Sequence, residues 1–453
     1  MNKKNNIDLG KTSITKLYMK ILIPTILGMI SLILVIITDG YFVGKYVGSD
    51  AMASVNFASP IYNIAEGFAL MFGLGCSIMV SISLSQKKVR EANLSFNQVI
   101  LVSTFLFVIV SIIIALNSQN TASLLGCSDK LLSSTASYIK IIAVALPFFI
   151  IMNLGLFMIR LDGSPKFAMF CSVAAAVINA MGDYLLVGRL GVGLDGAAYA
   201  TSAGFIVGGI MSIIYTLFFS YTLKFISLKK TLKKFLILIK NITHICKLGF
   251  SGLLNQLSLA LMAIIGNSVF LTYLQEDGVA AFSVTCFYFP IVFMINNAIA
   301  QSAQPIISYN IGINQIQRSK QTYHLSIRVA FVFGLLITLL MCLGASKMTG
   351  LFLVSSNKSY QIAVEGIPYF AIGYIFFAIN IVYIGYLQSI GRVLKSNIFI
   401  LLRGYLFLSI FFLTLPLIMG KKGIWLAMPF AEIMTTIIIG IIIFIKKDKP
   451  KIS

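Results

Sequence analysis

The chain has 453 residues, of which 58% are hydrophobic and only 11% charged, with a formal net charge of +21. So few charges exclude an ordinary soluble globule, because nearly uncharged apolar runs long enough to cross a ~30 Å hydrocarbon core recur along the whole length. The basic excess would suggest nucleic acid in a soluble protein, but here its placement marks a topology. With an even number of spans, 27 of the 35 lysines and arginines fall on the side of both termini, which makes that side cytoplasmic and the expected location the cell membrane.

Twelve spans are predicted, at roughly 16–45, 52–85, 94–117, 131–160, 165–188, 194–222, 245–273, 279–311, 320–346, 360–389, 394–420 and 423–446. No cleavable leader is expected, because the N-terminus is polar and basic and no small-residue cleavage site follows the first apolar run. The first span carries Pro24, which removes a backbone hydrogen bond and provides a place to bend, and later Asp39, in LGMISLILVIITDGYFVG. The second contains Pro60, Glu66 and Met71, and the fourth Tyr138, Pro147, Met152, Asn153 and Phe157. In the fifth, FCSVAAAVINAMGDYLLVG, Asn179 and Asp183 stand four residues apart and so share one helical face. The sixth opens with GAAYATS, which contains Thr201. Residues 223–243 then interleave six lysines with apolar residues, as expected of an amphipathic cytoplasmic segment lying on the membrane and joining halves 1–222 and 244–453. In the second half, spans seven and eight hold Met262, Phe287, Pro290 and Met294, and the twelfth Glu432.

The halves read as copies. SPIYNIAEGFALMFGLG compares with FPIVFMINNAIAQSAQP, the end of span four with the end of span ten, and GAAYAT with GIWLAM. Pro60 then stands opposite Pro290, Gly163 near Gly391 and Gly196 opposite Gly423, so the offset is nearly constant. An even number of spans in each half gives both copies the same orientation, and in such parallel repeats the substrate path runs between the halves.

A carboxylate at membrane depth costs at least ~2.5–3.5 kcal/mol on insertion scales, and such residues usually mark ion or proton pathways. Counting a rise of 1.5 Å per residue, Asp39 lies ~9 Å, Asp183 ~7–8 Å and Thr201 ~10 Å below the outer surface. Three polar side chains from three helices thus share one level, with Asn179 a turn deeper. Carboxylate, amide and hydroxyl oxygens without thiolate or imidazole suit a small hard cation such as Na+, and a pair of acids also suits a proton. Asn179 and Thr201 alone could equally serve as polar bridges between helices. The positions opposite Asp39, Asp183 and Thr201 in the second half are near Val269, Phe411 and Met428, all apolar. Glu66 and Glu432 are either attractors for a cationic substrate or neutral hydrogen-bonded acids. Asp162, beside Arg160 and Lys166, reads as a structural turn with local ion pairing.

The strings PTILGMISLILVIITDGYFVG, RLDGSPKFAM and INAMGDYLLVGRLGVGLDGAAYATS, together with the twelve-span plan in two halves, resemble the multidrug and toxic compound extrusion (MATE) family. The resemblance covers essentially the whole chain and is densest from 20 to 205. It is greatest to the bacterial and archaeal branch, DinF- and MepA-like, whose coupling carboxylates lie in the N-terminal half. It implies an all-α integral membrane protein of two pseudo-symmetric six-helix bundles forming a V-shaped cleft. The implied activity is export of cationic amphiphiles, drugs and dyes in exchange for H+ or Na+. Asp39, Asn179, Asp183 and Thr201 match the family's N-lobe cation site, with Tyr138 and Asn153 lining the same cavity and Pro24 at the bend linked to substrate release. Glu66, Met71, Met152, Phe157, Met262, Phe287 and Met294 are candidates for the cleft, where flexible thioethers and aromatic faces suit varied organic cations.

No nucleotide-binding loop and no Ser/His/Asp arrangement is present, so neither an enzyme nor a cofactor beyond the coupling ion is expected. The six cysteines are scattered, without metal or redox spacing. Nucleic acid is not an expected partner, and a monomer is the default. The rival reading is a flippase for a lipid-linked saccharide, which would need cationic residues deep in its cavity to hold phosphate; almost no Lys or Arg reads as deep in a span.

Overall fold

The computed structural model describes residues 8–127, 129–226 and 235–445. All regular structure among them is helical. The order is α1 (Ile14–Tyr46), α2 (Ser49–Ser85), α3 (Val89–Leu116), the short α4 (Ser118–Leu124), α5 (Asp129–Leu161), α6 (Pro165–Gly182), α7 (Leu194–Ile214), α8 (Phe235–Gly312), α9 (Ile316–Thr349), α10 (Lys358–Ala371), α11 (Gly373–Ser389), α12 (Val393–Leu401), α13 (Phe407–Met419) and α14 (Lys421–Ile445). π-helical turns extend α6 over Asp183–Arg189 and α7 over Tyr215–Phe219, and join α12 to α13 over Leu402–Leu406. Ten runs are long and apolar enough to cross a membrane, one of them the 75-residue stretch Leu238–Gly312. That stretch is two helices meeting at Gln275, whose φ of 57° and ψ of −155° are not helical. The pair α10 and α11, bent by 41°, forms one more. Twelve spans result among the described residues, as the hydropathy predicts.

The duplication is written into the backbone. Residues with positive φ recur in matched pairs: Gly48 with Gln275, Lys87 with Asn314 and Gly193 with Gly420, all at one and the same interval along the chain, and Gly163 with Gly391 at an interval longer by a single position. Left-handed backbone is costly for residues with a side chain, so its recurrence at Lys87 (φ 61°) and Asn314 (φ 60°) marks the same tight turn used twice. Both turns close alike, Lys88 N–H donating to Ser83 O at 2.9 Å and Gln315 N–H to Asn310 O at 2.8 Å.

Contacts divide the chain into two compact units, Met1–Thr12 with Met19–Leu253, and Ser13–Tyr18 with Leu254–Ser453. The division falls beyond the start of the second half expected at 244. In the first unit the opening turns of α8 lie directly on α2: a Cβ added at Gly249 would collide with the Met71 carbonyl oxygen, and one at Gly75 with that of Ile245. Only glycine permits two backbones to approach so closely. In the second unit the first turns of α1 are held by the Tyr18 hydroxyl, which donates to Ile299 O at 3.0 Å. Each unit is organised about a helix that is apolar all round and therefore buried: α5, against α2, α3 and α7, and α11, against α9 and α14.

Of the expected amphipathic segment 223–243, residues 227–234 lie outside the described residues. Its beginning is clamped to the first unit. Asp162 accepts from the backbone N–H of Tyr221 (2.7 Å), Thr222 (2.8 Å) and Leu223 (3.1 Å) and from the Tyr215 hydroxyl (2.9 Å). Asn93 Oδ1 accepts from Lys224 N–H at 2.8 Å and Asn97 Oδ1 from Ile226 N–H at 3.2 Å. Asp162 is thus structural, as expected, and its anchors are these four donors. Asp162→Asn replaces a charged acceptor of four bonds by a neutral amide, and hydrogen bonds to charged groups contribute about 1.5–3 kcal/mol each. The expected result is a melting temperature several degrees lower and faster proteolysis after Leu223.

Candidate functional site

Three helices of the first unit deliver the acidic cluster. α6 and α7 approach closely at Gly182, where an added Cβ would lie 2.7 Å from that of Ala200. This brings Thr201 beside Asn179, and the C-terminal part of α1 brings Asp39 to both. Asn179 Nδ2 donates to Asp39 Oδ1 at 2.8 Å and to Thr201 Oγ1 at 3.2 Å, while the Thr201 hydroxyl donates to Asp39 Oδ2 at 3.1 Å. The triangle closes with both oxygens of Asp39 oriented. Thr38, adjacent in sequence, reaches Asn179 Oδ1 at 3.5 Å.

Asp183 stands where α6 passes into its π-helical turn. One-turn π segments inside helices recur at functional sites because they shift the register of the side chains that follow. Its carboxylate is fully buried and faces that of Asp39. Neither Asp183 oxygen receives a hydrogen bond among the described residues. Two facing carboxylates repel unless a proton or a cation lies between them, and a buried acceptor without a donor loses its hydration with nothing in return. The donor set that remains, four carboxylate oxygens with an amide and a hydroxyl alongside, is suited to a proton or a hard monovalent ion.

Tyr138 of α5 is buried near both acids, with the Tyr62 hydroxyl of α2 beside its own. Tyr62 and Thr38 are members of this neighbourhood that the sequence reading missed. Thr38 was legible as the neighbour of Asp39; Tyr62 had no signal, because its place depends on how α2 packs. Asn153 is not joined to the cluster: its Nδ2 donates to Phe149 O of its own helix at 3.1 Å, and α5 runs unbroken through Pro147.

The cleft candidates divide between the units, Glu66, Met71, Met152 and Phe157 in the first and Met262, Phe287 and Met294 in the second. Met152 has no exposed surface and packs on Gly208 of α7, so its place is in the interior of the first unit. Met71, Phe157 and Met262 are also buried, with the Phe157 ring under the Arg160 guanidinium at 5.2 Å. Glu66 and Met294 are half-buried, and Phe287 is exposed and stacked on Phe352 at 5.0 Å.

In the second half one expectation is corrected, and Glu432, expected either to attract a cationic substrate or to be a hydrogen-bonded acid, is found with its partners. Arg403, counted with the cytoplasmic basic residues, lies in the π-helical turn between α12 and α13 and is buried. Glu432 is not a lone acid: Arg403 Nε donates to its Oε1 at 2.9 Å and Arg403 Nη2 lies 2.9 Å from the same oxygen. Asn380 Nδ2 donates to Glu432 Oε2 at 2.7 Å, and Arg403 Nη1 to Asn255 Oδ1 at 2.7 Å. The guanidinium stacks over the Phe377 ring at 4.6 Å. Removing one member of a buried ion pair costs about 3–5 kcal/mol, whereas replacing both by apolar groups of similar size is often neutral. Glu432→Ala is therefore expected to lower the melting temperature and the yield of monodisperse protein far more than the double change of Arg403 and Glu432 to Met.

Twelve apolar helices among the described residues, in two copied sets, with two facing acids in one of them, are the plan of a membrane transport protein. The MatE family model matches residues 24–185 and 251–415, and the chain belongs to that family. The multidrug export protein MepA of Staphylococcus saprophyticus is 22% identical, with 97% of this chain and 95% of that protein covered. MepA of Staphylococcus aureus is 21% identical over the same shares. Among solved structures, an outward-facing multidrug resistance MATE family transporter of the MOP superfamily superposes with a TM-score of 0.89 at 19% identity, covering 97% of each chain. A MOP superfamily transporter from Pyrococcus furiosus superposes with 0.87 at 20% identity, covering 95% of each.

Proposed function

We propose that this chain is a secondary active exporter of cationic amphiphilic drugs and dyes, driven by exchange for H+ or Na+ at the Asp39–Asp183 centre. The observation that carries this reading is the Asp183 carboxylate, fully buried, facing Asp39 and receiving no donor of its own. The names of the relatives, multidrug export proteins, support drugs as cargo. A proton or Na+ arriving between the two acids neutralises their repulsion and competes with Asn179 and Thr201 for Asp39. Because Asp39 is on α1, the change reaches the whole of that helix, which can bend at Pro24 where the missing N–H leaves a carbonyl free. Drug is released as α1 moves. One charge moving down 100 mV supplies about 2.3 kcal/mol, enough to hold a substantial drug gradient. Both termini and the 223–243 segment lie on the cytoplasmic side in this scheme.

A flippase gripping phosphate is the weaker reading, since Arg403 is engaged by Glu432, Asn255 and Phe377. The test is transport of ethidium by protein in liposomes under Na+ and pH gradients imposed separately. One gradient is expected to drive uphill movement. Ethidium binding with no response to either gradient would overturn ion coupling.

A further inference from the structure

The second unit holds a polar centre built on the same set of spans as the first. Asp39, Tyr138, Asn179 with Asp183, and Thr201 come from spans one, four, five and six. Asn255, Asn380, Arg403, and Glu432 with Thr436 come from spans seven, ten, eleven and twelve, which are the copies of those four in the repeat. Asp183 in the first and Arg403 in the second each stand in a π-helical turn, although at the repeat interval Arg403 falls opposite Ala176 rather than Asp183. The centres are nonetheless opposite in one respect. In the first, two acids face each other and Asp183 lacks donors. In the second, one acid is held by a cation that belongs to the chain.

We infer that Arg403 is a tethered cation: its guanidinium fills a second, oxygen-lined cation position in this protein and so confines ion exchange to the first unit. The oxygens around it are those a small hard cation takes. Glu432 Oε1 and Asn255 Oδ1 hold the guanidinium at 2.9 and 2.7 Å, and Glu432 Oε2 follows at 3.2 Å. Asn380 fixes the carboxylate from behind, donating to Glu432 Oε2 while its own Oδ1 accepts from the Thr436 hydroxyl at 2.9 Å. The carboxylate is therefore oriented by groups other than the arginine, and it keeps its aim when the arginine is removed. Burial of both partners, with side chains 3% and 4% exposed, keeps the guanidinium from exchanging with ions in solution. A covalently supplied charge cannot dissociate, so the second centre contributes no ion to the transport cycle.

The claim that exchange is confined to the first unit rests on the proposed coupling role of Asp39 and Asp183, but the test of the cation position does not. Purified protein carrying Asp39→Asn and Asp183→Asn is melted in NaCl and in choline chloride at pH 8, where protons are scarce. This background is expected to show no difference between the salts. Adding Arg403→Met is expected to create a rise in melting temperature that grows with Na+ concentration, and adding Glu432→Gln to abolish it. Ligand binding to the folded state alone produces such a concentration-dependent shift. An Arg403→Met protein as indifferent to Na+ as its background would overturn the inference, and so would a background that already responds to Na+. Should Arg403→Met fail to fold, the double change of Arg403 and Glu432 to Met in the otherwise native chain provides the decision. It is expected to export ethidium with native ion dependence. A folded double variant whose ion dependence is lost would show that Glu432 takes part in exchange, and would overturn the inference. Failure of the native protein to respond to any ion gradient, by contrast, would remove the coupling proposal and leave the Na+-dependent melting of the Arg403→Met protein as it stands.

Discussion

Asp183→Asn is expected to reduce drug export to the level of cells lacking the protein, while the amount of protein in the membrane stays the same. The asymmetry follows from the geometry. No group donates to Asp183, and its one polar neighbour is the Asp39 carboxylate, which an amide N–H can still meet, so the substitution leaves the contacts of the fold in place. An asparagine there places an N–H beside the Asp39 carboxylate and relieves two facing acids, which stabilises the folded state if anything. What is lost is the charge that draws in a proton or Na+, and with it the difference in free energy between loaded and empty states on which exchange depends. Ethidium accumulation together with immunodetection of the protein checks both halves of this expectation. Undiminished efflux by the Asp183→Asn protein would remove the acid pair from the mechanism. Loss of the protein itself would show Asp183 to be a folding residue.

Gly249→Val is expected to destabilise the first unit severely. The α2 and α8 backbones touch at Gly75 and Gly249, and the obstacle to a Cβ is the Met71 carbonyl of the facing helix rather than the end of a side chain. No rotamer change relieves such a collision, so the helices must separate along several turns. Losses above about 4–5 kcal/mol are exceptional and arise from this kind of forced repacking. The expected result is little or no protein in the membrane fraction. Gly440→Val is the control: nothing lies within 4 Å of an added Cβ there, and native levels are expected. Native levels of Gly249→Val would mean that the α2–α8 crossing is looser than its geometry implies.

The helical class, the twelve spans and the duplication were legible because the bilayer constrains them locally. An unpaired backbone N–H or C=O is prohibitive in hydrocarbon, so a long apolar run has to be a helix. The acid site was legible for a related reason. Asp39 and Asp183 stand out against apolar neighbours, and Asn179 shares a face with Asp183 by helical period alone. Counting along straight helices also placed Thr201 at their level, and the structure joins it to Asp39 at 3.1 Å. Asn153 and Met152, named from the resemblance and from side-chain type, had no such support from counting. Which way a residue faces inside a bundle depends on the rotation of its helix, and an all-apolar helix such as α5 carries no periodicity to reveal it.

Arg403 is the clearest case of what the linear pattern concealed. It falls inside a predicted span yet close enough to the cytoplasmic end to count with the basic fringe, where arginines near helix ends usually reach for water. Its partners Asn255 and Glu432 belong to spans seven and twelve, and Asn380, which steadies Glu432, belongs to span ten. Nothing local announces that these residues converge. Hydrocarbon solvent, acting residue by residue, thus determined the helices, their number and the rarity of buried charge from composition alone. Which buried charges meet, and whether an acid is held by an arginine or left facing a second acid, was decided only by the packing of helices distant in sequence. Electrostatic pairing acts over a few ångströms in space, and separation along the chain does not encode it.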